Sequence, residues 1–552
     1  MILNLFVLVN IIVLCSMLVV TFIPYNRSEF LFNFSLTSFS IVFCLILFMS
    51  IFINKKISFY QAVSYINWLL CFEILEFFTF SFKYAVAEEM RMGLVNSWAR
   101  AYDLYNLYLD TDVFKMNSYP PIIQSTVFSS SFLSVFFGID GLSLFFLILT
   151  AMLIYLCVLL SMDSVKQNLK EFLLCFFLLL FFLIGVFCAI DVLIFYIFFE
   201  SVLIPMYLII GIWGSRARKI RAGYFFFLYT LIGSVAMLLA IVYLIIVIGT
   251  TDYEILATTC FSKEEEKLLW FAFFLSFSAK VPMLPVHLWL PEAHVEAPTA
   301  GSVLLAGVLL KLGTYGFIRF SITLFSYGSH YFTPLVYAFA AMGIVYASFT
   351  AIRQTDFKRV IAYTSVAHMN LVILGIFSFN IIGLEGAIMQ SLSHGFVASA
   401  LFLIIGIVYD RHSTRMVKYY GGLVHVMPIY ITIFLFFTMA NIGLPGTSSF
   451  VGEFLILVGS FEANTTITFI GATGMVLGGC YALWLFNRIA YGNLKTTYCK
   501  KFIDLNEREF LIFLPLILGT LIMGIFPNFF IYLIHMNTNK LTELYGIKLS
   551  SI

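Results

Sequence analysis

Lys280, in FFLSFSAKVPMLPVHLWLPEAHVEAPTAG, and Lys311, in LLAGVLLKLGTYG, each stand inside a long apolar stretch. In a bilayer-crossing segment, a lysine near the middle costs about 2.5 to 3.5 kcal/mol on insertion scales, so it persists where it has a task or a partner. The remainder of the chain makes the bilayer the relevant solvent. Of its 552 residues 62% are hydrophobic and only 11% charged, and mean hydropathy is +1.01, values outside the range of soluble domains. The apolar runs approach the roughly 20 residues a helix needs to cross a membrane. They lack the period-2 alternation of a transmembrane barrel. The chain therefore reads as an all-α polytopic membrane protein.

Several chemistries are excluded at this level. Nine cysteines, at 15, 44, 71, 157, 175, 188, 260, 480 and 499, show no C-x-x-C and no spacing suited to zinc or an iron–sulfur cluster. They read as ordinary small buried residues. A P-loop and a dinucleotide fingerprint are missing, so no cofactor is expected on this chain and its energy source lies elsewhere. The opening MILNLFVLVNIIVLCSMLVVTFIPYN lacks the basic region of a secretory signal and the Arg/Ser-rich pattern of a transit peptide, and reads as a first spanning helix inserted where it is made. Its 64 phenylalanines, with abundant Ile, Tyr and Asn, fit codon drift in an AT-rich genome, bacterial or mitochondrial, better than an aromatic cofactor cage.

Fourteen apolar spans are expected, centred near residues 14, 42, 152, 181, 202, 235, 277, 310, 341, 368, 395, 440, 478 and 521. Charge supports the count. Loops after odd-numbered spans hold eighteen Lys and Arg, among them Arg216, Arg218, Lys219, Arg221, Arg353, Lys358, Arg359, Arg411, Arg415 and Lys418. Loops after even-numbered spans hold nine. By the positive-inside rule the odd loops face the cytoplasm or matrix, called the inner side below. Residues 1–54 form a two-helix segment. The stretch 55–137 mixes WLLCFEILEFFTFSF with Glu88, Glu89, Arg91, Arg100, Asp103, Asp110 and Asp112, and reads as an outer-face insertion. Glu73 and Glu76 argue against a free-standing span at 62–82.

Two interruptions recur in the apolar background. KVPMLPVHLWLPEAH from Lys280 and NIGLPGTSSFVGEF from Asn441 each carry a Leu-Pro pair followed, seven or eight residues later, by an acid. Proline removes a backbone donor and clashes with the preceding turn, so spans 7 and 12 should be broken. Either site alone fits a simple kink. Breaks five spans apart point instead to two five-helix repeats, inverted because their helix number is odd, at 172–325 (helices 4–8) and 326–490 (helices 9–13). Residues 138–171 supply helix 3 and a linker, and 491–552 a loop and helix 14.

The intramembrane polar residues fall on consecutive repeat helices: Glu200 in span 5, Lys280 in span 7, Lys311 in span 8, His368 in span 10, His394 in span 11 and Glu453 just past the second break. A single buried histidine is more often a packing residue than a relay. Two acids, two lysines and two histidines in one run of helices suit a proton relay better. Burial disfavours the charged form of lysine and a nearby carboxylate restores it, while histidine exchanges protons near neutrality. His287 and His294, with Glu292 and Glu296, are read as a shaped polar turn rather than a metal site.

GIDGLSLFF (138–146), FFESVLIPMYLIIGIWG (198–214), KVPMLPVHLWLPEAHVEAPTAGSVLLAGVLLKLGTYG (280–316), DFKRVIAYTSVAHMN (356–370) and NIGLPGTSSFVGEF (441–454) resemble the antiporter-like proton-translocating membrane subunits of respiratory complex I. The resemblance runs from about 138 to 533 and is most specific in the 280–316 block. It implies that Glu200 and Lys280 form a coupling pair, that Lys311, His368 and His394 continue a polar axis, and that Glu453 faces the outlet. It further implies fourteen helices and a mitochondrial, or alternatively bacterial, inner membrane. Neighbouring membrane-arm subunits, antiporter-like ones included, are the implied partners; NADH, FMN, iron–sulfur clusters and ubiquinone would reside in other subunits, and no nucleic acid is involved. The 54–137 insertion is longer than the resemblance predicts and suits docking of a lineage-specific subunit. A cation (Na+/K+)/proton antiporter would share the fold and broken helices without redox coupling. A purely structural subunit would have no use for Lys280 and Lys311.

Overall fold

The structure is a computed structural model, and the residues it describes are 123–130, 133–165, 167–495 and 502–551. The expected spans near residues 14 and 42, and the insertion up to residue 122, lie outside the described residues.

The chain enters through a hairpin that departs from the all-α expectation. Strands β1 (Ile123–Ser130) and β2 (Leu133–Ile139) pair antiparallel from Ile123 opposite Ile139 to Ser130 opposite Leu133. The sequence here is rich in aromatic and β-branched residues, which favour a pleated surface. Asp140 then caps α1 (Gly141–Ser164): its carboxylate accepts from the Ser143 amide at 2.8 Å, and its own amide donates to the Ser143 hydroxyl at 3.0 Å.

Helices α2 (Leu169–Cys188), α3 (Val192–Trp213) and α4 (Lys219–Ile248) follow as spans. A short α5 (Tyr253–Thr258) leads to α6 (Lys263–Lys280), whose start is fixed by a Ser262/Glu265 capping box. Beyond the first break come α7 (Trp289–Glu296) and α8 (Thr299–Leu324), then α9 (Ser326–Arg353), α10 (Phe357–Ile376) and α11 (Ile381–His412). Helix α12 (Pro428–Ile442) and α13 (Ser448–Ala463) flank the second break, and α14 (Thr465–Ala490), α15 (Glu507–Ile525) and α16 (Pro527–Ser551) complete the chain. Among the described residues ten helices are long and apolar enough to cross a membrane. They match the expected spans from residue 152 onward, except the two broken ones, which fall short by length or charge.

Both expected breaks are present. Helix α6 stops at Lys280, and the Leu284–Pro285 stretch carries no α-helix. The carbonyl of Ala279, freed there, accepts from the Trp289 indole at 2.9 Å, so the interruption does not leave it unpaired. Helix α12 stops before Gly443, whose φ of +83° lies in the left-handed region that favours glycine. A Cβ at Gly443 would also meet the Glu453 carboxylate at 2.7 Å. The second break is thus shaped around its acid.

Helix α16 was not anticipated as a separate element. With Asn, Thr, Lys and Glu through its second half it is too polar to read as a span. It crosses the ends of several helices instead: His535 meets Glu385 of α11 at 2.5 Å, Tyr545 stacks on Phe379 with ring centroids 4.4 Å apart, and Lys548 donates to the Leu324 carbonyl at 3.2 Å. Helix α8 lies at the centre of the fold, buried along its length, whereas α4 and α15 expose most of theirs.

Candidate functional site

Two polar assemblies form around the breaks. At the first, the Lys280 ammonium is buried, donates to the Phe199 carbonyl at 3.3 Å and sits 4.2 Å from the centroid of the Phe199 ring. Such a cation–π contact contributes about 0.5 to 2 kcal/mol. Glu200 follows Phe199 on α3. Both of its carboxylate oxygens are enclosed and make no well-formed hydrogen bond, although the carboxylate feels the charge of Lys280 and the nearby Ser234 hydroxyl. Ser234 itself donates to the Leu231 carbonyl at 2.9 Å. A carboxylate and an ammonium therefore share a low-dielectric space without an ion pair at contact distance.

The second assembly is more fully connected. Lys311, in α8, is wholly buried; its ammonium donates to the Ala306 carbonyl at 2.5 Å and lies 2.8 Å from His394 Nδ1. The helix is widened to π geometry over Leu305–Leu309, a local form frequent at functional positions. The His394 ring faces that of His368 with centroids 5.9 Å apart. His368 Nδ1 lies 3.2 Å from a Glu453 oxygen, which also accepts from the Gln390 amide at 3.0 Å. One line of contacts thus joins α8, α11, α10 and α13.

All six residues expected from sequence are brought to these assemblies: Glu200 and Lys280 to the first, Lys311, His394, His368 and Glu453 to the second. The two halves meet through α6 and α8. A Cβ added at Gly313 would lie 3.2 Å from the Lys280 Cβ, so the Lys280 stem packs two residues along α8 from Lys311. No hydrogen bond joins the two ammonium groups among the described residues.

Sequence reading missed Gln390. It stands four residues before His394 on α11, hence on the same face, and that i,i+4 spacing was the available signal. It also missed the buried pair of Arg319 with Asp140, two residues 179 apart in sequence. Lys358 and Arg415, counted above among loop cations, are enclosed instead: Lys358 donates to the Ala297 carbonyl at 2.8 Å, and Arg415 to the Val295 carbonyl. His294 is fully buried against Phe402, ring on ring at 4.5 Å. Among the described residues no group of His, Cys, Asp and Glu is arranged to hold a metal ion.

Known proteins resemble this chain in sequence and in fold. Residues 189–480 match the family model described as NADH:quinone oxidoreductase/Mrp antiporter, transmembrane. The chain is 60% identical over 411 residues to NADH-ubiquinone oxidoreductase chain 4 of Marchantia polymorpha, covering 74% of this chain and 83% of that one. A chain of respiratory complex I from Thermus thermophilus superposes with a TM-score of 0.72 at 31% identity, covering 80% of this chain and 93% of its own. A chain of the Mrp complex from a Dietzia species shares the fold at a TM-score of 0.69 and 18% identity, over 87% of this chain and 99% of that one. With the broken helices and the buried lysine–histidine–glutamate line in place, the chain belongs to the NADH:quinone oxidoreductase/Mrp antiporter family of membrane proteins.

Proposed function

We propose that this chain is the chain-4, M-type antiporter-like subunit of respiratory complex I and translocates protons along Glu200, Lys280, Lys311, His394, His368 and Glu453. The observation that carries the reading is the buried contact line from Lys311 to Glu453, built from groups that can each hold or release a proton. Electron transfer from NADH to ubiquinone in neighbouring subunits drives it indirectly. The mitochondrial inner membrane is the proposed location, and other membrane-arm subunits are the proposed partners.

Physical chemistry assigns the steps. Lys280 has two alternatives in the same enclosed space, the Phe199 site it occupies and the unsatisfied Glu200 carboxylate beside it. An opposite charge at close range in low dielectric strongly favours the ammonium form, and its withdrawal favours release. A shift that alters the Glu200–Lys280 separation therefore loads or unloads the lysine. On the other side of α8, Lys311 and His394 share a hydrogen bond, so a proton crosses from one nitrogen to the other over 2.8 Å. His368 and Glu453 complete the route toward the outer side. The tandem breaks support an inverted-repeat organisation at 172–325 and 326–490, in which each repeat contributes one interrupted helix.

The Mrp likeness, being one of fold, keeps a cation/proton antiporter as the second reading. A native gel of gently solubilised membranes, stained for NADH oxidation and probed by mass spectrometry, separates the two. The chain is expected in a large NADH-oxidising band. Migration in a smaller, NADH-inactive assembly from intact preparations would overturn the complex I reading.

A further inference from the structure

Helix α9 carries on its exposed side a groove that the polar assemblies do not use. We propose that the groove binds an anionic phospholipid of the inner leaflet, its acyl tail lying along α9 and its phosphate held by Arg353. The site is independent of the proton-translocating reading.

The groove has a volume of about 750 Å³ and is apolar except at one end. Met342, Val345, Tyr346, Phe349 and Arg353 form its floor, at the spacing of a single face of α9, and Leu284 of the first break and Ile470 of α14 flank it. Met342, Tyr346 and Phe349 are all exposed. In a bilayer such a hollow is filled with hydrocarbon, because apolar walls offer water nothing to bond and an empty space forfeits their dispersion contacts. Length suits a single acyl tail. From Ala341 to Arg353 the helix rises about 18 Å, close to the roughly 15 Å between the midplane of the hydrocarbon core and its edge. A tail that starts beside Arg353 at the inner end of α9 thus ends near the midplane.

Charge selects the headgroup. The other polar groups at that end are satisfied within α9: the Thr350 hydroxyl donates to the Ala347 carbonyl at 2.9 Å, and the Gln354 amide to the Thr350 carbonyl at 3.2 Å. Arg353 is exposed and makes neither a hydrogen bond nor an ion pair with any described residue. Arg359, also on the inner side, is instead paired with Glu292 at 2.7 Å. A planar guanidinium takes two phosphate oxygens at once, and anionic headgroups lie at the inner surface. A cation that served only to orient the chain in the membrane would need no groove leading from it. The tail lies against the first break, where Leu284 forms one wall and Tyr346 meets the His287 ring edge-on with centroids 5.4 Å apart. Lipid is thereby part of the packing around this interruption.

The test uses the assembled complex reconstituted with phospholipids that carry a photoactivatable diazirine near the end of one acyl tail. One probe is a phosphatidylglycerol and the other a phosphatidylcholine, and adducts on α9 peptides are read by mass spectrometry. Adducts between Met342 and Phe349 about fivefold more abundant with phosphatidylglycerol, the preference one arginine near an anionic headgroup confers, support the proposal, as does loss of that preference in Arg353→Gln. Equal labelling by the two probes overturns it, because bulk lipid then fills the groove. A preference that survives in Arg353→Gln also overturns it, because the headgroup is then held elsewhere. Absence of adducts on α9, while other parts of the chain are labelled, overturns it as well and shows that a protein segment covers the groove. Where Arg353→Gln does not assemble, the headgroup preference of the unsubstituted complex decides alone. Labelling needs no turnover, so its outcome stands whether or not the chain moves protons.

Discussion

At the first break the lysine that ends α6 touches one carbonyl and one aromatic face, and the carboxylate beside it has no well-formed partner. At the second, the glutamate near the start of α13 accepts from Gln390 and meets His368, which faces a histidine already bonded to Lys311. Similar backbone interruptions thus hold different kinds of site. The first is poised, since an unpaired buried carboxylate near an ammonium gains much from a small displacement. The second is wired, since its groups are already at transfer distance or one ring apart. A machine driven from a distance needs both: a place where a small shift changes a proton's affinity, and a path that conducts without moving.

The largest effect belongs to the poised site. Lys280→Ala is expected to lower NADH-driven proton transfer by about tenfold or more, since a positioned proton-transfer group commonly contributes 10²–10⁴ in rate. Proteoliposome acidification per NADH measures it, and an unchanged yield with unchanged turnover would end the comparison at its first half. Glu453→Gln comes next. Glutamine still accepts from Gln390 and offers His368 a hydrogen bond, so assembly should hold while proton yield falls severalfold; normal pumping in this variant would make the second break a packing feature. Gln390→Leu follows with a smaller loss of yield and a lower amount of assembled complex. It leaves the buried Glu453 without its amide donor, a cost of about 1 to 3 kcal/mol. Equal assembled amounts on native gels would show that His368 alone satisfies the acid.

Much of this organisation was legible because membranes penalise charge so heavily. Lys280 and Lys311 stand out against apolar neighbours, and the Leu-Pro pairs mark both breaks without knowledge of the fold. Gln390 escaped notice because an amide carries no charge and its task depends on Glu453, on a different helix. Lys358 was hidden by its neighbour: Arg359 is part-exposed and pairs with Glu292 at 2.7 Å, so the KR pair read as one loop charge cluster although the helix turns the two residues to different surroundings. Arg319 and Asp140 are joined only by the tertiary fold. The hairpin at 123–139 and α16 lay beyond a reading tuned to apolar spans, because the one is a strand pair and the other is too polar in its second half to register as a span.

The smallest effect separates the contacts that hold Lys280. Phe199→Leu removes the aromatic face beneath the ammonium and leaves the backbone carbonyl in place, so the lysine loses part of what keeps it from Glu200. An attraction of about 0.5 to 2 kcal/mol shifts that occupancy about two- to thirtyfold at most. Since a poised site responds to its driving displacement more than to resting occupancy, turnover should change by no more than about threefold and proton yield should stay intact. The substitution also opens space in an aromatic cluster, which Phe195→Leu controls for: Phe195 stacks in the same cluster, 5.3 Å from the Phe199 ring. A matched loss in both variants assigns the effect to packing. A loss specific to Phe199→Leu assigns it to the cation–π contact. A collapse of proton yield in Phe199→Leu alone would show that the resting position of Lys280 is itself fixed, and that the first break is wired in the manner of the second.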